Sequence, residues 1–186
     1  MGHHIFPLST FTHDKQLGGC MKKLVSLSCF CLVGLLFAGG DMDTYTYPAD
    51  NPVMSIDIPS GWDVETGDDG GLVASPEDES IYLELFEVAD ADDLDDAIEY
   101  VGDSIDEWLT HVKIEDPETF ELNGMTMISM DGTGIDEDED EILLSVALFS
   151  PDDDTVMMLI YFGTEDAEDA HEAELESIVN GLQPVE

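Results

Sequence analysis

The chain has 186 residues, with 45 Asp and Glu against four Lys and no Arg, a formal net charge of −41. That balance leaves no cationic surface to neutralise phosphates, which excludes a duplex nucleic-acid binder and disfavours docking on anionic lipid. The length suits one ordinary domain rather than two.

Residues 1–40 differ from the rest. They hold all three cysteines (Cys20, Cys29, Cys31), three of the four lysines and a single acid, Asp14. Met21-Lys22-Lys23 precedes an apolar run over residues 24–38, the pattern of an export signal and too short for a comfortable membrane span. Ala38 and Gly40 supply the small residues expected if cleavage precedes Asp41. Residues 1–20 lack periodicity and are expected to be a non-native extension ahead of a start at Met21; the alternative is an unusually long leader. Residues 41–186 then form the mature domain, secreted or periplasmic, with no stable membrane span. One lysine, Lys113, faces 44 acidic residues there, a net charge of −43. With no cysteine in this part no disulfide is available, so an apolar core must hold the fold.

In chain order, Tyr45 and Tyr47 start an edge strand. Met54, Ile56 and Ile58 alternate with polar residues as a half-buried strand, stopped by Pro59-Ser60-Gly61, where glycine geometry is expected. Trp62 and Val64 pack back on the sheet. A turn over residues 67–71 leads to a short strand at Leu72 and Val73, then a third strand over 81–88. Leu94, Ala97, Ile98, Val101, Ile105, Trp108 and Leu109 recur at helical spacing, with Asp90 or Asp92 as cap. Val112 and Ile114 follow. Asn123-Gly124 is the strongest short hairpin signal in the chain, between 119–122 and 125–130. Residues 142–149 are so apolar that they read as a central strand, and 156–162 form another strongly apolar strand. Thr164 caps the last helix, whose buried stripe is Ala167, Ala170, Leu175, Ile178 and Val179. Gly181 reads as a left-handed terminator, and Pro184 prevents continuation. The fold class is α+β: an antiparallel β-sheet flanked by helices.

Met54-Ser-Ile-Asp-Ile-Pro-Ser-Gly-Trp62 resembles the opening of the PsbP-like domain superfamily, where a strand runs into a Pro-x-Gly-Trp turn. Gly71-Leu-Val-Ala-Ser-Pro76, Asp95-Asp96-Ala97-Ile98 in the long helix, the Asn123-Gly124 hairpin and the final helix follow the same order over residues 45–185. The resemblance implies an α/β/α sandwich. It spans extrinsic photosystem II proteins, a Ran-binding transport factor and many exported bacterial proteins without an assigned role. The photosynthetic role implies basic docking residues, and this chain has only Lys113.

The densest acidic run is 136–141. Oxygen-rich loops bind calcium, which takes about six to eight oxygens, so Asp136, Asp138, Asp140 and Glu141 are candidate metal ligands and calcium the candidate cofactor. The glycine and terminal glutamate of the helix-loop-helix calcium site are missing, and a solvated hairpin loop is the plainer reading. Asp152, Asp153 and Asp154 join the run only if both loops lie at one end of the sheet. His111 and His171 lack a second histidine at zinc-ligand spacing. Glu84, between Leu83 and Leu85, is expected to face solvent. Met125, Met127, Met130, Met157 and Met158 fit a core better than a soft-metal site. Trp62, Tyr82 and Trp108 belong to the core or its rim. No serine elbow, cysteine nucleophile or glycine-rich phosphate loop occurs. The sequence therefore reads as a non-enzymatic exported module that serves an envelope or secreted protein; a calcium-binding protein is the rival.

The excess of Asp over Glu and the near-absence of bases fit adaptation to high salt. Screening shortens carboxylate repulsion from about 10 Å at 0.1 M salt to about 3 Å at 1 M. The melting temperature of the mature chain is expected to rise smoothly with sodium chloride. A further saturable rise with millimolar calcium in molar salt would instead mark a defined metal site.

Overall fold

The computed structural model describes residues 40–185 apart from 68, 69, 90, 92 and 153, and omits the side chains of 95, 96, 99, 103, 104, 106 and 107. The expected leader, the three cysteines and the proposed caps Asp90 and Asp92 lie outside the described residues.

Eleven strands and two helices follow one another as β1 (Met42–Tyr47), β2 (Met54–Pro59), β3 (Trp62–Thr66), β4 (Leu72–Pro76), β5 (Ile81–Glu87), α1 (Leu94–Trp108), β6 (Thr110–Ile114), β7 (Glu118–Leu122), β8 (Met125–Ile135), β9 (Glu141–Phe149), β10 (Met157–Gly163), α2 (Glu165–Asn180) and β11 (Gln183–Pro184). They build an eight-stranded sheet in the order β3-β4-β5-β10-β9-β8-β6, with β7 beside β8, and a three-stranded sheet β1-β2-β11. Every pairing is antiparallel. Strands β6 and β7 share one edge of β8, β6 against residues 132–135 and β7 against 125–129.

The apolar continuity of β9 and β10 puts them at the centre of the large sheet. Met157, Leu159 and Tyr161 face one way and join a core with Met54, Ile56 and Ile58 of β2 and Leu175, Ile178 and Val179 of α2. Met158 and Ile160 face the other way and join Ala97, Val101, Ile105 and Leu109 on and just after α1. The α+β class and the antiparallel sheet are as the sequence implies, but the helix flanking is partial: α2 shares its face with the small sheet. All five methionines singled out are buried.

Local chemistry explains the helix ends. Thr164 accepts a hydrogen bond from the Ala167 amide, and Glu165, Asp166 and Glu168 occupy the electropositive first turn of α2. The Asp93 carbonyl accepts the first bond of α1, from the Ala97 amide. Asn123 and Gly124 both have positive φ, as a tight hairpin turn requires. Asn123 Nδ2 also donates to the carbonyls of Leu182 and Asn180, at 2.7 and 3.1 Å, tying the hairpin to the end of α2.

Several expectations are corrected. Trp62 joins the core and Val64 packs against it, as expected, but both belong to a full strand, β3. Strand β8 runs on past Met130 through Gly132 and Gly134 to Ile135; glycine is needed there because a Cβ would sit 2.5 Å from the Lys113 carbonyl oxygen at Gly132 and 2.8 Å from Leu109 Cβ at Gly134. Residues after α2 form β11, pairing Gln183 with Ser55. Ala170 is exposed, so the stripe of α2 is narrower than its spacing implies. Gly181 is right-handed, with φ −80°; glycine fits there because a Cβ would meet Asp57 Cβ at 2.7 Å. Gly61 has neither positive φ nor crowding.

Two substitutions separate these glycines in chemical denaturation. Gly181→Ala is expected to cost about 1–3 kcal/mol through overpacking, whereas Gly61→Ala should change stability by less than about 0.5 kcal/mol. Leu175→Ala, at a buried position, should cost about 2–5 kcal/mol.

Candidate functional site

The acidic loop is a braced hairpin. Asp136 is buried and its Oδ1 accepts the amides of Asp138 and Asp140, both at 2.9 Å. Glu139 takes positive φ to close the turn. Asp138 and Glu141 are exposed and Asp140 half-buried. The loop containing Asp152 and Asp154 leaves the opposite end of β9, so the two acidic segments do not meet. Among the described residues no group of three or more His, Cys, Asp and Glu side chains is arranged to share a metal ion.

The histidines take structural positions. His111 is exposed beside the Thr110 hydroxyl. His171 packs edge-on against Trp62, with its Nδ1 on Glu174 and its Nε2 3.6 Å from Asp78 Oδ1. The Trp62 indole also reaches Glu174, at 3.4 Å. The Ser80 hydroxyl and amide donate to Asp78 and hold its carboxyl below the usual range. These contacts join α2 to β3 and the β4–β5 turn. The two ring nitrogens point to different carboxylates, so the set converges on no common ligand position.

On the α2 face, the Tyr161 hydroxyl donates to Glu168 at 2.9 Å. Burial first, and then the charge of Glu168, push the tyrosine far above its ordinary value. Burial also raises Glu168, helped by repulsion from Asp131, Asp169 and Glu172 and opposed by the Tyr161 hydrogen bond.

The α1 face holds what the sequence reading missed. Glu84 is not turned to solvent: it is 6% exposed. Strand alternation does turn it away from Leu83 and Leu85, but this face of the sheet is covered as well. It stands in a cross-strand row with Val73, Ile160, Val146 and Met130, all apolar. Tyr82, two residues away on the same face, donates its hydroxyl to Glu84 Oε2 at 2.9 Å. A carboxylate so placed is costly unless it is hydrogen-bonded. The Tyr82 ring lies 6.3 Å from Phe162, and Phe162 lies edge-on to Trp108 at 5.4 Å. Further along the helix, Tyr100 meets Phe86 at 6.5 Å.

Trp108 and Tyr100 are 45% and 43% exposed. Trp108 sits within the apolar arc by periodicity, but it is the last residue of α1, and its large ring remains half open beside Phe162. Tyr100 was the unread signal, an aromatic among six acids in one fifteen-residue helix. Of the four large apolar side chains exposed among the described residues, three (Tyr100, Trp108 and Ile114) fall on α1 or the strand after it. Exposed aromatic side chains with apolar support are the typical anchors of protein contacts. The site is thus an aromatic face with a buried carboxyl group.

No family profile matches the sequence, and no curated protein is similar to it. Solved structures are. The chain superimposes on the cyanobacterial PsbP (CyanoP) from Synechocystis with a TM-score of 0.55 at 12% identity, covering 84% of this chain and 99% of that one. It matches LpqN from Mycobacterium tuberculosis, described as involved in cell envelope biogenesis, with a TM-score of 0.55 at 12% identity, covering 78% of this chain and 92% of that one. The fold is PsbP-like. Among the described residues no helix is long and apolar enough to cross a membrane.

The raised pKa of Glu168 has a definite sign. From its ordinary value of 4.5 upward the folded state holds this proton more tightly than the unfolded chain, so the stability it contributes falls as pH rises through the folded pKa. Glu168→Gln retains an acceptor for Tyr161. It should melt higher than the wild type at pH 7, with the gap closing as pH falls towards 4.5; a lower melting temperature at pH 7 would contradict the burial argument.

Proposed function

We propose that residues 41–186 act as an exported, salt-adapted, non-enzymatic accessory module that docks on a protein of the cell envelope through the aromatic face of α1. The observation that carries this reading is the pair of half-exposed rings, Trp108 and Tyr100, each backed by a further aromatic ring on the sheet. The chain has a net charge of −41, and exposed aromatic area is a specific cost in solubility. Retaining it on one face fits a surface that is covered in use. The likeness to LpqN, whose description places it in envelope biogenesis, supports the setting. The leader-like segment over residues 21–40 supports export.

The test is site-specific photo-crosslinking. A photoreactive phenylalanine analogue in place of Trp108 should give a discrete adduct with one envelope protein, and the same analogue at Glu137, in the exposed acidic loop, should not. Equal labelling from both positions, or none from either, would refute docking through α1. Calcium would become the leading reading if it protected the chain in molar salt and that protection vanished in Asp138→Asn.

A further inference from the structure

We propose that the aromatic face receives an arginine- or lysine-bearing segment of the partner protein, whose cationic side chain lies against Trp108 and Phe162 beside the buried carboxylate of Glu84. This inference rests on the docking reading above and specifies the chemistry of what docks.

Three features of the site favour a cation. The faces of aromatic rings carry partial negative charge and attract ammonium and guanidinium groups, tryptophan most strongly. The rings of Trp108, Phe162 and Tyr82 form a continuous series, and the last of them donates its hydroxyl to Glu84. Glu84 stands in an otherwise apolar cross-strand row, where an incoming cation would favour the charged form of its carboxyl group. The series therefore runs from a half-exposed indole to a buried acid.

The source of the cation follows from the composition. Residues 41–186 contain one base, Lys113, and it lies on β6 at the far edge of the sheet from β4 and β5. A second copy of this chain would bring the same excess of carboxylates against α1, a helix with six acids and no base, and like charges oppose that contact. A basic segment of a different protein is attracted by the same charges, which guide it to the surface, while the rings retain it. Diffuse attraction weakens with salt; contact with the rings is largely insensitive to it.

The experiment uses the mature chain and a blocked peptide of alternating arginine and glycine, titrated calorimetrically in dilute buffer and in about 1 M sodium chloride, where the screening length is about 3 Å. Saturable binding should survive in high salt. Trp108→Ala and Tyr100→Ala, both at exposed positions, leave the core intact; Trp108→Ala should weaken binding about tenfold, the scale of one well-placed cation–π contact. Glu84→Gln, which retains an acceptor for Tyr82, should weaken it severalfold, and Glu137→Gln should have no effect. A peptide with norleucine in place of arginine should not bind.

Loss of all binding in high salt, or equal binding by wild type and Trp108→Ala, would overturn the inference and leave diffuse polyanion attraction. Equal binding of the norleucine peptide would also overturn it, in favour of a merely apolar contact. If Trp108 crosslinks to a discrete envelope protein while the arginine peptide fails, docking stands and its cationic chemistry falls. If neither occurs, both fall together.

Discussion

Strands β9 and β10 carry apolar side chains on both faces, and the rest of the molecule follows from the need to cover them. With no cysteine in residues 41–186 and one lysine against 44 acids, neither a disulfide nor an array of ion pairs is available to hold this part of the chain together. Cohesion comes from two apolar layers. One is closed by α1, crossing from β5 to the far edge at β6; the other is closed by α2 together with β2 of the small sheet. Burial offsets the repulsion among surface carboxylates, and the balance shifts with ionic strength.

The scarcity of bases also governs how buried acids are accommodated. Glu84 is met by the Tyr82 hydroxyl, Glu168 by the Tyr161 hydroxyl, and Asp136 by two backbone amides. Neutral donors stand where other proteins place arginine or lysine. They satisfy the oxygens without supplying a positive charge, and burial leaves Glu168 with a raised pKa.

How much of this was legible depended on whether an element is specified locally. The central strands, the Asn123-Gly124 turn and the Thr164 cap are each encoded within a few residues, and the structure places them close to where the sequence does. Elements defined by distant partners were not legible. The two residues of β11 become a strand only through Ser55 and Met54. The strand from Met125 was expected to end at Met130, yet it continues through Gly132 and Gly134, which allow the close approach of β6 and Leu109. Glu84 was misread because alternation assigns a face but does not say that the second face is covered. The acidic run drew attention by its density, whereas the aromatic face is assembled from β5, β10 and α1 and has no signature in any single segment.

The pairing of β11 with β2 has a consequence for how the chain reaches its folded state. Strand β2 lies between β1 and β11, and the carbonyls of Asn180 and Leu182 hold the Asn123 side chain at the hairpin. The segment after α2 therefore fastens both an early strand and a mid-chain turn. Contacts so distant in sequence carry a loop-closure entropy that must be overcome before they contribute. The closing of the fold thus depends on its most sequence-distant pairings, which makes its topology a slow one to assemble.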